Sequence, residues 1–286
     1  MSIQEFTQKK IKIAIILAGQ LRHWDITSKI FQMYNDIHPD VQYDFFLSTW
    51  DDSYANTKAI ESNFSFLNAY EVVDTSIIEI NDGDYVRYPY LLKKVNQLKN
   101  DYQSEYDIKY DCVISTRPDV FLSYQLLHRV NQLINNTNSD QITPNTIYAD
   151  DGISEKIKLK EYHFVMQDMY VFGHESAINI HANIYDDMYV KKIQPNLGVH
   201  ITPAEHIINN KLSCRPVGIW VGIIRYTHVD YFNNLLQNGK LKNMYNLQDG
   251  TALFEEFKSD FMELSDNYDK HLYGEHKKPK NEQRFL

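Results

Sequence analysis

Apolar residues run from Ile11 to Leu17, broken only by Lys12, and stop at Ala18-Gly19-Gln20-Leu21-Arg22. A run of that length closed by a glycine turn predicts a central strand covered on both faces and then a tight loop. Trp24, Ile26, Ile30, Phe31, Met33 and Ile37 recur at helical spacing, so a helix is expected over 24 to 37. Tyr43 to Trp50 reads as a second strand ending in the acidic pair Asp51 and Asp52. Val72, Val73, Ile77, Ile78 and Ile80 predict a third strand over 70 to 80. A helix from about Pro89 to Tyr106 carries Leu91, Leu92, Val95 and Leu98 on one face, with Lys93, Lys94, Asn96 and Lys99 elsewhere. The segment Tyr110 to Phe121 then forms an apolar strand that enters a charged turn, Arg117-Pro118-Asp119, and returns to apolar residues. Alternating strands and helices predict βαβ units on a mostly parallel, twisted sheet.

After residue 122 the pattern loosens. A helix is expected over 124 to 135, short strands around Thr146 to Ala149 and Tyr162 to Phe172, and a helix over Ile178 to Tyr189. Thr202-Pro203-Ala204-Glu205 resembles a helix start, with a Thr cap, Pro at the first helical position and Glu at the third. Arg215 to Ile224 is strand-like, and beyond Asp230 the chain becomes polar and amphipathic. The expected architecture is one α/β domain over 1 to 286. It has a ligand-binding half at about 11 to 122, a second half at about 123 to 228 and a helical extension at about 229 to 286.

The chain's 286 residues suffice for one large core. A formal net charge of -9 gives no general attraction to phosphate backbones. Cys112 and Cys214 each lie in an apolar segment without a CxxC partner, which favours buried thiols over a disulfide framework or thiolate metal site. No apolar run reaches the length of a membrane helix, and the expectation is a soluble, cytoplasmic protein. Lys156, Lys158 and Lys160 alternate with other residues like the wet face of an edge strand.

The candidate chemistry lies at the strand ends. Gly19 permits close backbone approach, the following helix N-terminus favours anions, and Arg22 offers charge-assisted contacts, so this loop suits a phosphorylated ligand. It lacks both the Gly-x-Gly-x-x-Gly and the Gly-Lys-Ser/Thr patterns, and its plainer reading is a tight turn with a surface arginine. Asp51 and Asp52 can receive ribose or sugar hydroxyls, or simply cap a helix. Lys94 can approach a diphosphate, although a helix with several lysines is ordinarily solvated. Arg117 and Asp119 sit at a buried strand end, where ligands and metals bind; otherwise Arg117 pairs with a nearby acid and Pro118 stops the strand. Asp168 is the one acid in an apolar and aromatic strand, a costly position unless it is paired or functional. Glu205 caps its helix or acts as a base, and His206 reads as a surface residue. His163, His174, His200 and His228 show no metal-ligand spacing, which leaves a Mg or Mn ion held by one or two carboxylates and substrate phosphates.

Leu17 to Arg22, Phe46 to Trp50, Tyr110 to Val120 and Gln167 to Gly173 together resemble the GT-A type of glycosyltransferase. In particular they resemble the bacterial and viral transferases similar to the WavE lipopolysaccharide-synthesis proteins. The resemblance spans about residues 11 to 225. It implies a GT-A-like, Rossmann-like α/β fold, with a central mostly parallel sheet flanked by helices and a less regular C-terminal half. It further implies a nucleotide-sugar donor, UDP-linked, and a divalent metal, Mn or Mg, bound at an Asp-x-Asp motif. Here that motif reads Arg117-Pro118-Asp119, so Asp119 is the retained metal ligand and Arg117 stands where the first Asp would be. By the same resemblance Gly19 and Arg22 contact the nucleotide or diphosphate and Arg117 neutralises phosphate; Gln20 and Lys94 are further candidate donor contacts. Asp51 or Asp52 meets the uridine or ribose. Asp168 lies beside the transferred sugar, and Glu205 occupies the region of a base.

The expected activity is transfer of a sugar to a polysaccharide, a lipid-linked glycan or another polymer. A phage-type enzyme acting on hydroxymethylated DNA bases is a narrower alternative, which the acidic balance does not support. A degenerate scaffold that binds a nucleotide or glycan without catalysis is the third, kept open by Arg117.

Overall fold

The computed structural model describes residues 10–52, 57–78, 86–135, 142–149, 169–190, 201–219, 221–241 and 251–273. Asp168 and Lys156, Lys158 and Lys160 lie outside them. The expected sheet is present. Strands β1 (Ile11–Ala18), β2 (Val41–Trp50), β3 (Leu67–Val73), β4 (Cys112–Thr116), β6 (Thr146–Ala149), β7 (Tyr170–Gly173) and β8 (Ser213–Pro216) form seven strands in the order β3-β2-β1-β4-β7-β6-β8. Pairings are parallel from β3 through β4. β7 is antiparallel to both β4 and β6, while β8 is parallel to β6. Two antiparallel steps turn β6 and β8 back to the direction of β4. A separate ribbon pairs β5 (Val120–Leu122) with β9 (Val221–Ile223).

Period-two alternation assigns β1 to two cores. Ile13, Ile15 and Leu17 face one side, with α1 (Trp24–Gln32), α5 (Tyr124–Asn135), α8 (Val229–Gln237) and α9 (Ala252–Tyr273) contributing to the same cluster. Ala14, Ile16 and Ala18 face the other, which α4 (Arg87–Tyr106), α6 (Glu175–Ala182) and α7 (Ile201–Asn209) cover. Lys99 of α4 is fully buried; its ammonium donates to Gln103 Oε1 at 2.7 Å and lies 3.4 Å from Glu175 Oε1. Burial pushes the Lys99 pKa down to about 8, against the opposing pull of Glu175.

Several expectations are corrected. The helix expected over 24 to 37 is two pieces, α1 and a single turn α2 (Tyr34–Ile37), parted at Met33. The third strand ends at Val73, not at residue 80, because the Asp74 carboxylate accepts the Ser76 amide at 2.8 Å and winds 75–77 into a 3-10 turn. A short helix α3 (Thr57–Asn63) precedes that strand. Helix α6 stops at Ala182 and Tyr185–Val190 continues as a π-helical turn. Helix α7 covers Ile201–Asn209, so Thr202 is a buried residue within it and not its cap. His206 is buried, with Nε2 2.7 Å from the Ile180 carbonyl oxygen, not at the surface. Both cysteines are free, Cys112 buried and Cys214 half-buried. Among the described residues no helix is long and apolar enough to cross a membrane.

Candidate functional site

From β1 the chain moves outward to β2 and β3, then returns to place β4 on the other side of β1. This reversal leaves a crevice beyond the carboxyl ends of β1 and β4, the place where open α/β sheets take ligands. Both strand exits are tight. Gly19 has φ 139°, a conformation closed to most side chains, and a Cβ there would stand 3.3 Å from Pro118 Cδ. The Gly19 amide donates to the Ser48 carbonyl of β2 at 3.2 Å. Glycine is therefore required where the β1 loop passes over the β4 turn.

That turn is closed on itself. Arg117 donates from Nε to Asp119 Oδ1 at 2.9 Å and from Nη2 to Asp119 Oδ2 at 2.8 Å, a fork on a carboxylate only 2% exposed. The expectation that Arg117 pairs with a nearby acid is met, and the acid is its neighbour. This arrangement does not suit a metal at Asp119: both carboxylate oxygens accept from Arg117. Among the described residues no group of three or more His, Cys, Asp or Glu side chains is placed to hold an ion.

The β1 and β2 loops are joined through Gln20. Its Nε2 donates to Asp52 Oδ2 at 2.9 Å and its Oε1 accepts from Arg22 Nη2. Asp51 is exposed, and its amide is tied to the Val73 carbonyl at 2.7 Å. Gly19, Gln20, Arg22, Asp52, Arg117 and Asp119 thus fall at neighbouring strand exits. Lys94 is engaged elsewhere, 3.0 Å from Glu71 of β3, and the hydrogen bond to Glu71 raises its pKa. Glu205 rides on α7, which packs against α6 and β8.

Sequence reasoning passed over two members of this group. Arg225 follows β9, and the preceding amide, that of Ile224, donates to the Asp119 carbonyl at 2.8 Å. His23 is a non-glycine residue at φ 53° that opens α1 without a side-chain cap. Burial lowers its pKa; Asp25 and Asp119 oppose that shift, while Arg22 and Arg225 add to it. His23 therefore lies within the field of Asp119 and of arginines from two separate loops. Arg225 was findable by the logic that singled out Arg117, a charge placed directly after a buried strand.

A cavity of about 190 Å³ lies between α5 and the β6–β8 edge, lined by Arg129, Leu133, Tyr148, Arg215, Pro216 and Val217.

No family model matches the chain, and no curated protein matches it, so the WavE-like assignment has no family match behind it. Solved structures do resemble it distantly. One is a putative nucleotide-diphospho-sugar transferase from Desulfovibrio desulfuricans G20, with 9% identity, TM-score 0.40 and coverage of 89% of this chain and 98% of that one. Another is the galactosyltransferase LgtC in complex with donor and acceptor sugar analogues, with 13% identity, TM-score 0.38 and coverage of 71% and 73%.

Proposed function

We propose that this chain is a GT-A-type glycosyltransferase that binds a nucleoside-diphosphate sugar in the crevice between the β1 and β4 exits. The observation that carries the reading is the convergence there of a glycine turn, the Gln20–Asp52 pair and the arginines 22, 117 and 225. Gly19 lets the backbone approach a phosphate, and Arg22 and Arg225 supply positive charge for it. Asp52, presented by Gln20, accepts from a ribose or base. Arg117 is neutralised by Asp119, so it shapes the turn before it serves the ligand.

In transfer, the bond from the sugar's anomeric carbon to the diphosphate oxygen breaks and a bond to an acceptor oxygen forms. The acceptor's proton passes to a carboxylate or to the departing diphosphate. Arg22 and Arg225 stabilise the charge that develops on the leaving group. Asp168 and Glu205 are the carboxylates proposed for the proton, the former two residues ahead of Tyr170, which pairs with Thr116 at the end of β4. A divalent ion, if the reaction uses one, would need Asp119 to release Arg117.

The closed Arg117–Asp119 pair also favours a second reading, a nucleotide-binding scaffold without catalysis. Release of nucleoside diphosphate from UDP-, GDP- and dTDP-sugars, and of CMP from CMP-sugars, separates the two. Turnover of one donor supports the transferase. Binding without release of nucleotide, with or without candidate glycan acceptors, supports the scaffold.

A further inference from the structure

His228 is fully buried, and both of its ring nitrogens are engaged. It closes the 3-10 turn Tyr226–His228 that follows β9. Nδ1 accepts the Arg225 amide at 2.9 Å, while the His228 amide donates to the Arg225 carbonyl, also at 2.9 Å. Nε2 lies 3.1 Å from the Phe261 carbonyl oxygen and 3.1 Å from Ser265 Oγ, both on α9. A carbonyl only accepts, so the hydrogen sits on Nε2 and Nδ1 is the bare acceptor. The Phe261 ring is 4.1 Å from the imidazole, centroid to centroid, and Thr227 Oγ1 donates to the Leu264 carbonyl at 2.9 Å. Phe261 also fills the space above Gly222, where a Cβ would stand 2.5 Å from its Cζ. On its other side the turn is bound to the crevice through the Ile224 amide and the Asp119 carbonyl.

We propose that His228 is a positioning residue: through it, the C-terminal helix α9 holds Arg225 at the crevice beside Asp119. This rests on the reading of the crevice as a diphosphate site. It makes α9, more than 130 residues beyond Asp119 in the chain, part of the binding machinery. The hold requires a neutral imidazole. Protonation would set a second N–H against the Arg225 amide; burial lowers the pKa of the ring, with Arg225 and His23 adding to that and the Phe261 carbonyl opposing it. Helix α9 offers the ring the Phe261 carbonyl and ring and the Ser265 hydroxyl, and α8 the Phe232 ring.

The test compares full-length wild type, His228→Asn and His228→Leu for calorimetric binding of UDP from pH 7.5 to pH 5, with amide exchange followed over residues 221–228. Asn keeps an acceptor near the Nδ1 position and does not titrate; Leu keeps bulk only. The expected result is UDP binding weakened about tenfold by Leu, the loss of one well-placed hydrogen bond, and by much less for Asn. The protection of the Arg225 amide, taken relative to its intrinsic exchange rate at each pH, should fall in the Leu variant and stay close to wild type in the Asn variant. A folded Leu variant that matches wild type in both readouts overturns the proposal. If Leu does not fold, His228→Gln, which offers no acceptor at the Nδ1 position, takes its place, and UDP binding and Arg225 protection equal to wild type in a folded Gln variant overturn it. If wild type binds no UDP, the diphosphate reading fails for that nucleotide, and the exchange data still decide whether the clamp exists.

Discussion

Arg117→Met should destabilise the fold by about 3 kcal/mol. The guanidinium meets Asp119 through two hydrogen bonds, at 2.9 and 2.8 Å, and its removal strands a carboxylate that is 2% exposed. Breaking a buried pair from one side costs about 3–5 kcal/mol, and the 19% exposure of the Arg117 side chain puts this case at the lower end. Adding Asp119→Asn to the same chain removes the stranded charge and should restore about 2 kcal/mol, since a neutral amide is far less costly to bury. Urea unfolding of wild type, both single variants and the double variant at pH 7 gives the complete cycle, with equal m values as the check on two-state behaviour. The reasoning is refuted if Arg117→Met costs under about 1 kcal/mol, the range of an exposed pair. It is refuted equally if the double variant is no more stable than Arg117→Met alone.

Gly19→Ala should cost about 1–3 kcal/mol from backbone strain alone, read as a lower urea midpoint, and should weaken nucleotide binding because the added methyl presses on Pro118. Lys99→Met should gain stability near neutral pH. A fall in pKa from 10.5 to about 8 is worth about 3 kcal/mol, offset in part by the lost Gln103 and Glu175 contacts. Because the unfolded chain keeps its proton to higher pH, wild-type stability should rise from pH 8 to 10.5 and the difference between the proteins should shrink; unfolding at pH 7 and pH 10 checks this. His181 is buried, and burial, with His206 adding, pushes its pKa down to about 3. Its neutral form is the folded one, so stability should fall as pH drops through 6.5 towards 3, and His181→Leu should flatten that slope in acid unfolding curves.

The continuous apolar runs of β1, β2 and β4 were legible because strands covered on both faces leave an unmistakable pattern, and the loops after them carry the candidate site. Short elements were less legible. Apolar periodicity across Ile77 and Ile78 extended the third strand, while the local preference of Asp74 for capping Ser76 ended it. The fork from Arg117 to Asp119 is one of two outcomes the sequence allowed, and only side-chain placement selects it. Arg225 and His228 were hidden for a different reason: their role depends on β9 pairing with β5 and on α9 packing over both, contacts between segments far apart in the chain.

The most direct test of the central claim is calorimetric titration of wild type with UDP, GDP, CMP and dTDP in EDTA, repeated with Arg22→Ala and Arg225→Ala. The account predicts binding of one nucleotide without added metal, weakened about tenfold or more by each loss of a charge-assisted contact. Binding of none of them, or equal binding by both arginine variants, would contradict it.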